Sequence, residues 1–237
     1  MDHGLRAGER VRVGDDVRHH LLNVLRLKAG ERLTLVDAIG VPWRGRIAQL
    51  EPLELEVLTQ DDSPSANPQG SLEVWVPLLK GGKTDDLVRQ LTELGASAIR
   101  CYAASRSVAR LDPPKVDKRV TRWQTIASEA TRQCGRTDVP MVDFSQGLPT
   151  GGSGVYLWEA EGSPAATALS EACGDGSLTL LIGPEGGLSK ADAAHLDALG
   201  WKAASLGARI LRAETAVVVG ATLGLVALKE RGYADLV

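Results

Sequence analysis

The sequence predicts an α/β domain with a mostly parallel sheet, preceded by a small β-barrel. Three observations carry this prediction. Residues 72–79 form a nearly continuous apolar run, the pattern of a strand buried on both faces. From there on, short strand-like stretches alternate with segments of helical spacing, as in a sheet with helical crossovers. Between this part and the N-terminus, residues 61–71 (DDSPSANPQGS) gather Pro, Ser, Asn and Gly between two apolar stretches, which is linker composition. The expected division is 1–66 and 71–237, a reasonable partition of a 237-residue chain.

In the N-terminal part, residues 32–36, 41–47 and 53–58 are β-rich or alternating and are separated by turn residues. One amphipathic stretch stands among them. Leu21, Leu22, Val24, Leu25 and Leu27 follow His19-His20, and Gly30 closes the segment as a helix C-cap would. In the C-terminal part, Leu87, Leu91 and Leu94 mark a helix that Gly95 ends, and residues 98–102 form a strand. Val116, Val120, Trp123 and Ala127 give helical spacing. Strands follow at 139–143, 155–158 and 178–182. Ser163-Pro164 places a cap and a Pro at a helix start. Ser189 with Asp192 predicts a capping box, and residues 213–231 a long terminal helix.

Composition narrows the function classes. The formal net charge is −3, so any nucleic-acid affinity must come from local clustering rather than bulk charge. One cluster exists: residues 100–136 hold nine Lys or Arg against three acidic residues, a local charge of +6. Such a patch could neutralise phosphates, or it could be a solvated helix face. The three cysteines, Cys101, Cys134 and Cys173, are odd in number and widely spaced, which fits free thiols in a reducing cytosol and argues against structural zinc. The start, MDHGLRAGER, is too charged for a signal peptide, and the apolar run near 216–228 is too short to span a bilayer. The expectation is a cytoplasmic protein with no membrane and no metal.

Three segments could carry chemistry. Gly82-Lys83-Thr84 imitates the end of a phosphate loop, but Pro77 stands where that motif needs its first glycine. The expected role is a solvated loop with Thr84 or Asp85 as N-cap. Ile182-Gly183-Pro184-Glu185-Gly186-Gly187 lies past a buried strand and before a helix, where open α/β sheets bind ligands. Residues 206–216, LGARILRAETA, join the last strand to the last helix. Glu214 there is favourable by helix dipole alone, but Arg212 is a cation at the wrong helix end and is left without a structural reason.

Together, GPEGG at 183–187 and LGARILRAETA at 206–216 resemble the C-terminal signature of the SPOUT methyltransferases, and most closely the bacterial 16S rRNA (uridine-1498-N3)-methyltransferase family. His20 with Val24-Leu25-Arg26 is similar to that family's H-x-x-x-VLR pattern. Thr92-Glu93-Leu94-Gly95 and Ser105-Arg106-Ser107 are similar to its E-L-G and S-x-R-S elements. Glu129-Ala130, Gln133-Cys134-Gly135-Arg136 and Val139-Pro140 resemble its E-A-x-x-Q-x-x-R-x-x-x-P stretch. The chain departs from the pattern at its start, which lacks the Arg-aromatic pair, and at Gly-Gly-Lys-Thr-Asp-Asp, which replaces a Lys-rich segment.

The resemblance implies a PUA-like N-terminal barrel that helps hold RNA, a C-terminal SPOUT domain with a deep trefoil knot, a homodimer, and S-adenosyl-L-methionine as methyl donor. It puts Gly183, Pro184, Glu185, Gly186 and Gly187 on one wall of the cofactor crease. Leu206, Gly207, Ile210, Leu211, Arg212 and Ala216 form the other wall, with Leu157 beside the adenine. It implies RNA contact by Arg6, His20, Arg26, Arg106, Arg132 and Arg136, with 16S rRNA of the small ribosomal subunit as substrate. Arg212 is the expected stabiliser of charge on the uracil, Arg136 the second candidate from the other subunit, and Glu129 a base or a positioning group. The competing expectations are a SPOUT enzyme acting on another RNA at a ribose hydroxyl, a non-catalytic RNA-binding factor, and a nucleotide triphosphatase.

Overall fold

The computed structural model describes residues 4–37, 41–60, 70–107, 111–159 and 162–233, the side chains of Asp16 and Pro42 excepted. Most of the 61–71 linker, and Arg110 of the basic cluster, lie outside the described residues. The chain forms two compact units, Met1–Ser65 and Ala66–Val237.

In the first unit, β1 (Arg10–Arg12), β2 (Arg32–Val36), β3 (Pro42–Leu50) and β4 (Leu53–Gln60) make an antiparallel sheet in the order β1-β4-β3-β2. No ladder joins β1 to β2 among the described residues. Ile47, Leu53 and Leu55 alternate inward, as a half-buried strand requires, and Leu21 covers them. Leu21 comes from a helical stretch in two pieces, α1 (Asp15–His19) and a π-helical turn at His20–Val24. The sequence suggested one helix running on to Leu27. Instead the turn ends at Leu25, and Arg26 adopts a left-handed backbone (φ 56°).

The second unit is a seven-stranded parallel sheet. Its strands are β5 (Ser71–Pro77), β6 (Ala98–Tyr102), β7 (Met141–Ser145), β8 (Val155–Leu157), β9 (Ser163–Pro164), β10 (Ser177–Ile182) and β11 (Lys202–Ser205). Their spatial order is β7-β6-β5-β10-β8-β11-β9. Helices α2 (Lys83–Leu94), α3 (Val116–Cys134), α4 (Ala165–Ala172) and α6 (Ala213–Glu230) bury their apolar stripes on one face, against Val74, Ile99, Leu157 and Leu180 among others. Helix α5 (Lys190–Ala198) covers part of the other face through Ala193 and Leu196 on Tyr156 and Leu181. Buried apolar residues lie on both faces of β5 and β10, which is why those strands read as nearly continuous hydrophobic runs.

Helix α6 lies close on the sheet because Gly220 faces it. A Cβ there would sit 2.8 Å from Leu157 Cδ1, too close unless the Leu157 side chain or the helix shifts. Helix α5 begins with the expected capping box, Ser189 and Asp192 each bonding the other's backbone N–H. Helix α4 differs from expectation: Ser163-Pro164 pairs with β11 as a two-residue strand, and Pro164, not Ser163, is the N-cap. Helix α2 starts from Gly82 in a left-handed backbone; Thr84 is buried inside, its hydroxyl accepting from Leu79 N–H at 2.9 Å.

Candidate active site

The carboxyl ends of β8, β10 and β11 meet where β8 sits between two strands that follow it in sequence. This is the switch point at which open α/β sheets place their ligands. A cavity of about 470 Å³ opens there, within the range of small-molecule sites. Leu157 and Ile182 lie at its strand ends. Gly183, Pro184, Glu185 and Gly187 line one side; Leu206, Gly207, Ile210, Leu211, Arg212 and Ala216 line the other. Both sequence motifs and Leu157 therefore converge on one concavity. Gly186 does not line it and packs instead against Arg106, whose backbone oxygen would be 3.1 Å from an added Cβ.

The glycine-rich wall is held from behind. The Tyr102 hydroxyl, fully buried, donates to the Ile182 carbonyl at 2.7 Å, and burial pushes its ionisation far above the usual tyrosine range. The Ser105 hydroxyl donates to Asp192 Oδ2 at 2.9 Å, and Arg106 Nη1 donates to the Gly186 carbonyl at 3.4 Å. Burial raises the Asp192 carboxyl. Hydrogen bonds from Ser189 N–H and the Ser105 and Ser189 hydroxyls, with the Arg106 charge, outweigh it and hold the group below its ordinary value. The S-x-R-S-like segment thus anchors the glycine-rich wall. Pro184 and Gly187 close a turn, the N–H of Gly187 donating to the Pro184 carbonyl at 2.8 Å. Gly187 has φ 66°, and a Cβ would meet Glu159 Oε1 at 2.5 Å, so the turn needs glycine.

The cavity also takes Lys83, Trp158, Glu159 and Glu214, none of which the motif reading assigned. Lys83 sat in the discarded phosphate-loop segment. Glu159 has no local signal, because only its place after a β-strand that reaches the switch point brings it here. The charged lining is balanced: Lys83, Arg209 and Arg212 against Glu159, Glu185 and Glu214. Arg212 is the extended N-cap of α6 and is exposed, so its guanidinium is presented to solvent at the cavity rather than used in packing.

The other expected catalytic residues are not gathered here. Arg136 is buried: Nη1 donates to the carbonyls of Thr92 (2.7 Å) and Ala96 (2.9 Å), while Nε and Nη2 grip Asp138 at 3.1 and 2.7 Å. It ties the end of α3 to the end of α2. This corrects the expectation of catalysis and RNA contact by Arg136, because every face of the guanidinium is committed inside one chain. Glu129 is exposed on α3 and does not line the cavity.

The basic cluster is also less free than its count suggests. Arg100 bridges Glu73 and Asp143, Arg119 and Arg122 both reach Asp85, and Lys115 pairs with Asp112. Glu73, Asp85, Asp138 and Asp143 come from outside the segment counted. Lys118 and Arg132 remain exposed on α3. In the first unit Arg6, His20 and Arg26 are on or near the surface. Among the described residues no group of three or more His, Cys, Asp or Glu is placed to hold a metal, and no helix is long and apolar enough to cross a membrane.

Comparison with known proteins follows the same division. Residues 65–224 match the RNA methyltransferase domain family, and residues 13–59 match the RNA methyltransferase PUA domain family. The chain is 31% identical over 219 residues to the ribosomal RNA small subunit methyltransferase E of Mycobacterium bovis, covering 87% of this chain and 82% of that one. It is 30% identical over 217 residues to the Bacillus subtilis protein of the same name (86% and 84%). The crystal structure of the Neisseria gonorrhoeae ribosomal RNA small subunit methyltransferase E, bound to S-adenosyl methionine, superimposes with a TM-score of 0.77 at 26% identity over 93% of both chains. A methyltransferase from Legionella pneumophila shares the fold, with a TM-score of 0.81 at 21% identity over 95% of both chains.

Proposed function

Since the chain belongs to the RNA methyltransferase family, with the small-subunit methyltransferases E among its relatives, we propose that it methylates N3 of a uridine of the 1498 type in 16S rRNA, taking the methyl group from S-adenosyl-L-methionine. The observation that carries this reading is the convergence of GPEGG and LGARILRAETA on one cavity at the switch point of a parallel sheet. The residues fit the donor. The cavity has the volume of a small-molecule site, its glycine turn leaves backbone exposed to a ligand, and Glu214, one of its lining residues, has a buried carboxylate oxygen with no hydrogen-bond partner among the described residues. Leu157 and the two motif walls would hold the donor. When bound, its sulfonium supplies an activated methyl group and a good leaving group.

The chain's own task is the nucleophile. Uracil N3 is a poor nucleophile while protonated, so the site must favour the anion and hold it in line. Alignment alone is worth roughly 7–11 kcal/mol of barrier. Arg212 is placed to stabilise negative charge on the uracil oxygens, since this exposed cation lines the cavity at the N-cap of α6. Glu129 lies outside the cavity of its own chain. A role for it as base or positioning group requires α3 of a second copy, which is the homodimer this reading includes. Arg6, His20, Arg26, Arg106 and Arg132 are the proposed RNA contacts, the deep trefoil knot is the proposed path of the chain around the switch point, and the cytoplasm the proposed compartment.

The test uses labelled S-adenosylmethionine and small ribosomal subunits that lack their native modifications, followed by mass spectrometry of the nucleosides. Label in 3-methyluridine is expected. Label only in a ribose-methylated nucleoside would replace this reading with 2′-O transfer. Absence of both transfer and donor binding would leave an RNA-binding protein.

A further inference from the structure

Arginines cross the solvent face of the first unit's sheet in rows. Along the order β1-β4-β3-β2, Arg10 stands opposite Glu56, Glu56 opposite Arg46, and Arg46 opposite Arg32. A second row begins with Arg12 opposite Glu54. Arg44 is exposed two residues before Arg46 on the same face. Alternation fixes that face, because Val11, Ile47, Leu55 and Val57, at the intervening positions, are buried. The helical stretch that carries His20 covers the opposite face through Leu21. The arginine face is therefore separate from the RNA contacts proposed above for His20 and Arg26.

The charges here do not cancel. Five arginines stand against two glutamates, which leaves three positive charges in excess. Exposure sharpens the imbalance. Glu54 and Glu56 are 16% and 22% exposed, whereas Arg10, Arg12 and Arg46 are 62%, 75% and 50% exposed. A partner meets guanidinium groups first. Arg12 Nε donates to Glu54 Oε1 at 3.0 Å, and Arg46 Nε donates to Glu56 Oε2 at 2.7 Å. Each guanidinium is held by one edge and keeps N–H donors for a ligand. Arg32 is different. It faces Arg46 directly in the ladder, and like charges so placed oppose sheet formation. Arg32 has no hydrogen bond or ion pair among the described residues. The fold gives no reason for this cation, and an external anion does.

We propose that this face binds the sugar-phosphate backbone of RNA without reading sequence, as a second docking surface. The arginine fork matches two oxygens of one phosphate. Strands about 4.8 Å apart stretch the Arg10–Arg32 row over about 14 Å, long enough to meet several phosphates. Glu54 and Glu56 are positioning residues that orient Arg12 and Arg46. That the polyanion is RNA rests on the methyltransferase reading above.

The experiment titrates the full chain against a fluorescein-labelled RNA duplex of arbitrary sequence, by anisotropy at several salt concentrations. Arg32→Gln is expected to lower the slope of log affinity against log salt by roughly 0.7–0.9, the loss of one phosphate contact, with Tm unchanged or higher because opposed charges are relieved. Arg12→Gln should give the same drop in slope. Glu56→Gln separates docking from scaffolding. Removing one negative charge from an anion site should tighten duplex binding about twofold or more at low salt, whereas a merely structural pair would leave it equal or weaker. Unchanged slopes in Arg32→Gln and Arg12→Gln overturn the surface. So does a raised KM for small subunits with unchanged duplex affinity, which would put a protein of the subunit on this face. Both results leave methyl transfer standing. A wild-type protein that binds the duplex with this salt dependence yet transfers no methyl group overturns the methyltransferase reading and keeps the surface.

Discussion

Arg136 offers a direct contest between what its sequence context implies and what its surroundings do. Replacing it with Met removes a two-pronged grip on Asp138 and two hydrogen bonds to carbonyls at the C-terminal end of α2, while keeping the apolar stem. The side chain is 5% exposed and Asp138 37% exposed. Breaking a buried pair costs about 3–5 kcal/mol, and the exposure of Asp138 lets water take up part of the loss, which points to about 3 kcal/mol. For a domain of this size each kcal/mol shifts Tm by about 2–4 °C, so Arg136→Met is expected to melt roughly 6–12 °C lower. Arg136→Lys should recover little, because an ammonium cannot reproduce the fork. Urea unfolding followed by tryptophan fluorescence measures the loss, and turnover per folded molecule is measured in parallel. The reasoning fails if Arg136→Met loses less than about 1 kcal/mol while turnover collapses. That result would return the residue to the active site.

Three further outcomes follow from the same geometry. Gly187→Ala places a methyl group against Glu159 at a left-handed backbone position, so donor affinity by calorimetry should fall roughly tenfold with about 1 kcal/mol of stability lost; unchanged affinity would separate the turn from binding. Asp192 has a folded-state pKa below its ordinary 3.8, so the stability it contributes is present above that value and lost as pH falls through the lower folded value. Asp192→Asn should cost about 1 kcal/mol at pH 7 through the weakened cap and flatten the dependence below about pH 4, with an unaltered acid profile counting against the assignment. Arg132→Ala, at an exposed cation on α3, should lower the slope of log affinity for RNA against log salt by roughly 0.7–0.9 in anisotropy titrations; a slope equal to wild type would remove Arg132 from the RNA surface.

Periodicity and turn chemistry made most of the second unit legible in the sequence, since apolar spacing reports burial whichever partner supplies it. The strand at Ala98–Tyr102, the α2 stop at Gly95 and the Ser189–Asp192 box all come from local rules. The two loop motifs named the cavity because both walls are contiguous in sequence. What escaped was relational. Counting charges along 100–136 could not register Glu73, Asp85, Asp138 and Asp143, which arrive from neighbouring elements and neutralise the cations. Nor could it register that Arg136 is needed by carbonyls of another helix. Lys83 carried a visible motif with the wrong meaning, and Glu159 carried none. The strands Arg10–Arg12 and Ser163–Pro164 are too short for any alternation to appear.

The position of β8 has a temporal consequence. Both strands that flank Val155–Leu157, β10 and β11, are made after it, and the helix that seals them, α6, is made last. During synthesis this strand waits with both edges unsatisfied, and every wall of the cavity waits with it. Such non-local pairing is slow to form. A nascent chain therefore lacks this cavity until α6 has emerged and the sheet has closed around β8. For an enzyme proposed to modify ribosomal RNA, competence is withheld while the chain is still growing on a ribosome.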